Sequence, residues 1–214
     1  MDYAGHEKYY IKEDALLFIL AAIGIEDWYQ FSDIKCQEKA SKEEINKLLA
    51  RLYQESYVTW ENGTIRLLEP LNTLAYIVKN SHYCVSIRME RLSYYCYCFK
   101  NKVLVIEPGK QDYDKLRFSI WEKAHFVEYL WSLGIFPEEE LEIQEDEMWM
   151  NEVHTKAILT LSEKDLSKQK CEMTVSETGI FTYITVAEGT NTWKKLYCRQ
   201  YCRDTIEKWL QMEE

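Results

Sequence analysis

Two kinds of side chain in this sequence have the reactivity to do chemistry: seven cysteines and four histidines. The histidines are His6, His82, His125 and His154. His82 and Cys84 stand two apart in an apparent strand. A period of two puts both on one face, where an imidazole activates a thiol. His125 lies in an apparent helix beside apolar residues. The cysteines are Cys36, Cys84, Cys96, Cys98, Cys171, Cys198 and Cys202. Cys96 and Cys98 share a strand face, and Cys198 and Cys202 suit one face of a helix. A zinc site takes two pairs in C-x-x-C or C-x-x-H spacing, and neither pair has it. Without an export signal, the expectation is reduced, metal-free thiols used as small hydrophobes. P-loop, G-x-G-x-x-G, G-x-S-x-G and H-E-x-x-H patterns are absent. Seven scattered glycines do not cradle a phosphate. No catalytic residue, metal ligand or cofactor is assigned, and an unrecognised enzyme is the third functional reading.

The next signal is charge. The formal net charge is −10, and residues 137–152, PEEELEIQEDEMWMNE, hold eight acids and no base. An acidic chain repels phosphate backbones and anionic membrane surfaces. Calcium loops need a central glycine, which this run lacks. Ile143, Met148, Trp149 and Met150 interrupt the acids. A Met-Trp-Met cluster in an acidic frame suits an amphipathic helical partner, and the carboxylates would steer a basic one. The alternative is a solvated connector whose Trp149 folds back onto the core.

These residues need a scaffold, and 214 residues suffice to bury a core without staples. Seven glycines and three prolines exclude collagen, low-complexity and broadly disordered classes. The apolar run from Ala15 to Ile25 follows Glu13 and Asp14 rather than a basic segment. Its length of about eleven residues falls short of the ~20 that span a bilayer. The expectation is a soluble, cytoplasmic protein without membrane insertion.

Asp14 caps a helix through Ile23, apolar on nearly every side, with Gly24 as its stop. Ser41 and Glu44 form a capping box opening a helix over 42–54, with Ile45, Leu48, Leu49 and Leu52 on one face. Asn62-Gly63 predicts a two-residue hairpin within 57–68. Pro70 opens a helix over 70–80. Strands follow at 82–89, 92–99, 102–107 and 115–120. A helix over 121–133 carries Trp121, Ala124, Val127, Leu130 and Trp131 and ends at Gly134. Further strands lie at 153–161, 170–176, 179–187 and 191–199. A last helix covers 201–212 with Ile206, Trp209 and Leu210.

The fold class is therefore α+β: two antiparallel strand blocks, each followed by a helix, flanked by helices, with a possible quasi-twofold sharing of one sheet. The parts are a winged-helix-like segment 1–80, a strand block with helix 81–136, the acidic connector 137–152, and a second block 153–214. Helix, capped helix and hairpin in that order suit a winged-helix DNA regulator. Helix 42–54 offers Lys42, Lys47 and Arg51 against Glu43 and Glu44, and the hairpin offers Arg66 against Glu61. That balance is too even for a groove reader, so no nucleic acid partner is expected. The hairpin, with Trp60 and Asn62 near its tip, is a second candidate partner surface.

The buried first helix, the segment INKLLARLYQESYVTWENGTIRLLEPLNTLAYIVKNS, the meander, a helix ending in Leu-Gly-Ile and a second strand block closed by a helix come in a telling order. That order resembles the EspG-type chaperones of type VII (ESX) secretion. The resemblance implies a cytoplasmic, non-enzymatic protein that shields the hydrophobic tip of a helical secretion substrate.

The hairpin yields a first test. Gly63→Ala is expected to cost about 1 kcal/mol or more, because a type I′ turn holds this residue at positive φ. An unchanged melting temperature would show a different turn.

Overall fold

A computed structural model describes residues 7–22, 24, 41–108, 115–140, 153–163, 168–179 and 181–212. The chain is α+β, as the alternating patterns predict. The first block supplies β4 (Tyr83–Met89), β5 (Ser93–Phe99), β6 (Lys102–Pro108) and β7 (Lys115–Glu122), and the second supplies β8 (His154–Glu163), β9 (Gln169–Thr178), β10 (Phe181–Glu188) and β11 (Asn191–Leu196). Both blocks are antiparallel meanders, and they join in one nine-stranded sheet of order β1-β7-β6-β5-β4-β8-β9-β10-β11. The first strands of the two meanders, β4 and β8, pair antiparallel from Tyr83↔Glu163 to Met89↔Ala157. The connectivity is thus twofold about that seam, each meander running outward from it.

The outermost strand on one side, β1 (Tyr9–Lys12), was not expected. It pairs antiparallel with β7 through Ile11↔Leu116 and its neighbours. Four residues are too few to show a clear period, and the apolar helix that follows obscures them.

Alternation along the strands creates two cores. Cys84, Tyr97, Leu104, Ile106, Leu116 and Phe118 point to one face. There they meet α1 (Glu13–Ala22), α2 (Lys42–Gln54) and α3 (Leu71–Asn80). Their strand neighbours Val85, Ile87, Cys96, Val103 and Val105 point to the other face. So do Leu159, Leu161, Met173, Val175, Ile184 and Val186 from the second meander. That longer face is covered by α4 (Lys123–Ser132) and α5 (Arg199–Gln211). An ion-pair cluster pins α4 to α5, with Glu128 meeting both Arg199 and Arg203.

Several boundaries differ from the sequence reading. α1 buries only Ala15, Leu16, Ile19 and Leu20, a single stripe, while Ala21 and Ala22 are exposed. An all-apolar sequence here serves one face. Trp121 belongs to β7, because it pairs with Val103 across the ladder and donates from Nε1 to Ser119 Oγ at 2.8 Å. With the helix starting two residues later, Phe126, Val127, Tyr129 and Leu130 are its buried residues and Ala124 is exposed. Pro70 is the N-cap residue of α3 rather than its first helical position.

Local chemistry sets the ends of α2. Ser41 Oγ accepts from Glu44 N at 3.3 Å, and the Glu44 carboxylate accepts from Ser41 N at 2.7 Å, so the capping box is complete. At the other end Ser56 N donates to Tyr53 O and Tyr57 N donates to Leu52 O, a Schellman motif. This motif forces Ser56 to φ 59°, a left-handed conformation that favours glycine. Ser56→Gly is therefore expected to stabilise the fold by about 0.5–1 kcal/mol, raising the melting temperature by roughly 1–4 °C. A lower melting temperature would mean that the serine side chain matters more than its backbone strain.

Candidate functional site

The described cysteines and histidines do not assemble into a reactive centre. Cys84 is wholly buried in the core that α1 to α3 cover, whereas His82 is exposed just before β4. Burial pushes the Cys96 thiol far up, raises Cys171, and raises Cys202 to about 12, so these thiols stay protonated at neutral pH. None of the six described cysteines pairs with another described cysteine in a disulfide. Glu107 and Arg117 make a bidentate pair across β6 and β7. Glu107 is 3% exposed. Tyr94 and Tyr129 stand near this pair, and burial, then the Glu107 charge, raises both phenols.

A surface cleft of about 390 Å³ is lined by Glu7, Tyr9, Glu69, Lys102 and Glu122, among others. Each of its carboxylates accepts a hydrogen bond from a neighbouring side chain. Glu69 accepts from Thr73 and Asn72; partial burial works against ionisation, yet these bonds hold its carboxyl below the usual range. Glu122 accepts from Asn101 and Glu7 from Tyr9. Among the described residues no three His, Cys, Asp or Glu side chains converge to hold a metal ion. No helix among them is long and apolar enough to cross a membrane.

The hairpin is the surface that the local sequence builds outward. β2 (Val58–Glu61) and β3 (Thr64–Leu67) pair as expected about Asn62 and Gly63, which sit at φ 51° and 78°. A Cβ on Gly63 would meet nothing within 4 Å, so the backbone angle alone demands glycine there. The hairpin is amphipathic. One face carries the pairs Val58↔Leu67 and Trp60↔Ile65, and the other carries Thr59↔Arg66 and Glu61↔Thr64. Val58 and Leu67 root the apolar face in the core. Beyond them Trp60 and Ile65 leave the core, 57% and 40% exposed. On the polar face Arg66 pairs with Glu61 at 2.6 Å. The base is tied down as well: Tyr57 OH donates to the Tyr10 carbonyl of β1 at 2.6 Å.

Of the sequence-assigned partner residues, the structure therefore places Trp60 and Asn62 at the tip of a rooted wing. Ile143, Met148, Trp149 and Met150 lie outside the described residues. The first acids of the connector are visible, and Glu140 accepts from Arg199 N at 2.6 Å, satisfying an orphan amide at the start of α5. The sequence reading missed Ile65. In a two-residue hairpin, residues equidistant from Asn62-Gly63 must pair, and that symmetry would have found it.

No protein-family model and no curated protein matches the chain.

Three of the four bases on α2 and the hairpin are paired within the fold, Lys42 being the other. Lys47 pairs with Glu43 at 2.8 Å, Arg51 with Asp14 at 2.8 Å, and Arg66 with Glu61. Duplex DNA would have to compete with these carboxylates for three of the four bases on that side. The expected outcome of a mobility-shift assay near physiological salt is no tight binding. Sub-micromolar, salt-sensitive binding would contradict this electrostatic reading.

Proposed function

We propose that this chain is a non-enzymatic, cytoplasmic protein-binding adaptor. It takes the apolar face of an amphipathic helical partner on its wing, residues 57–68, acting as a chaperone of the type VII secretion kind that its element order resembles. The observation that carries this reading is the Trp60–Ile65 pair. A tryptophan 57% exposed on a rooted hairpin leaves a large rigid apolar surface in water. Nothing in the wing's own packing needs that surface, because Val58 and Leu67 already anchor it. Tryptophan is a favoured hot-spot residue, since it gives much contact area at little conformational cost. Ile65 widens the anchor, and the Glu61–Arg66 pair gives the opposite face a polar surface suited to solvent. Asn62 and Gly63 hold the two strands in the register that sets Trp60 against Ile65. The acidic run 137–152 supports a partner with basic flanks by speeding encounter.

The test is affinity capture from the source cells with wild-type protein and Trp60→Ala, followed by reconstitution with the purified partner. A helical partner retained by wild type is expected to bind Trp60→Ala about thirtyfold more weakly, the loss typical of a 2 kcal/mol hot spot. The melting temperature of Trp60→Ala is expected within about 2 °C of wild type, as for other exposed substitutions. A partner whose affinity is indifferent to Trp60 would sink the assignment of the wing.

A further inference from the structure

The sheet ends on two edges of different character. At one end β1 is four residues long, and the Tyr57 hydroxyl takes its Tyr10 carbonyl. At the other end β11 runs for six residues and, among the described residues, pairs only with β10. Asn191 to Lys195 are all exposed. We propose that β11 is an acceptor edge for an extended acidic peptide, which adds to the sheet as a further strand.

The backbone fixes which groups are available. Gly189 and Thr190 close a two-residue hairpin at Glu188↔Asn191, and in such a hairpin the closing pair exchanges both hydrogen bonds. Tyr197 N donates to Thr182 O at 2.8 Å in the same phase. Asn191, Trp193 and Lys195 therefore bond back to β10. Thr192, Lys194 and Leu196 turn their N–H and C=O groups away from the sheet, where an incoming strand would meet them.

The side chains specify the charge of that strand. Asn191–Leu196 holds two lysines and no acid, in a chain whose net charge is −10. Consecutive residues face opposite sides of a sheet, so the lysines flank the edge on both faces. Aromatic rings hold both ammoniums there: Lys194 Nζ lies 4.6 Å from the Tyr183 ring centroid, and Lys195 Nζ lies 4.3 Å from that of Tyr201. Neither has a carboxylate partner among the described residues. Trp193, 41% exposed, adds apolar surface on the Lys195 side. A second copy of β11 paired antiparallel about Lys194 or Lys195 would set lysine against lysine, which opposes pairing. Nucleic acid lacks the alternating amide donors and acceptors that a sheet edge recognises. Adjacent glutamates in an added strand would meet one ammonium on each face while main-chain bonds form along the edge.

The probe is a synthetic peptide, Thr-Val-Glu-Glu-Val-Thr, titrated into the full chain and followed by amide hydrogen exchange. Exchange is expected to slow at Thr192, Lys194 and Leu196, with little change at Asn191, Trp193 and Lys195. The double variant K194E/K195E is expected to bind about tenfold more weakly, equivalent to about 1.4 kcal/mol. Thr192→Pro removes an outward donor without touching the β10 ladder, and is expected to lose binding while keeping its melting temperature. The same peptide with glutamine for glutamate is expected to bind more weakly. Absence of protection at those three amides, or equal protection by the glutamine peptide, would overturn the proposal. The lysines would then serve only to repel other strands.

Discussion

The antiparallel pairing of β4 with β8 is the contact on which the rest of the architecture depends. It brings together residues 68 to 80 positions apart in the chain, and it is the direct link between the two meanders. Its register places Val85 against Leu161 and Ile87 against Leu159. That continuity gives α4 and α5 a single apolar floor spanning both halves. On the opposite side the same register sets Cys84 against Ser162 and Ser86 against Thr160, so the apolar surface stops at the seam. The helices α1 to α3 accordingly cover only the first meander. A slip of one residue would exchange the two sides, burying Ser86 and exposing Val85.

Much of the fold could be read from local chemistry. Ser41 with Glu44 and Asn62 with Gly63 act through their own backbone neighbours, so sequence alone reveals them. What escaped the sequence depends on distant partners. β1 exists because β7 offers it a ladder. Trp121 extends a strand because Val103 stands opposite, and no glycine or proline marks where the strand gives way to α4. The stop of α2 rests on Ser56 at positive φ, a role that composition assigns to glycine. At the candidate site, Trp60 and Asn62 were legible through residue type and turn chemistry. Glu140 was not, because its role at α5 joins residues 59 apart. Strand order is equally silent in sequence, so the edge position of β11 could not be read from Asn191–Leu196.

The wing and the basic edge lie at opposite ends of one sheet. Tyr57 ties the wing to β1, and β11 is eight strand spacings away, roughly 38 Å at 4.8 Å per strand. The two surfaces also differ in what they offer. The wing presents the exposed apolar side chains Trp60 and Ile65, whereas β11 presents outward main-chain groups with basic side chains beside them. Occupants of the two would not compete for space, and high salt would weaken the second far more than the first.

The pairing of β1 with β7 also imposes a timetable on synthesis. Ile11 leaves the ribosome 105 residues before Leu116, its ladder partner. At about 5–20 residues per second the earliest strand waits on the order of 5–20 s for its place in the sheet. Over that interval the described core partners of Ile11, Ala15, Leu16, Ile19 and Leu20 that are already made come from α2, α3, the hairpin and β4 to β6. The Arg51–Asp14 pair, which joins α2 to α1, needs nothing made later than residue 51. It joins two helices that are both complete long before β7 is made, beside the apolar cluster they share.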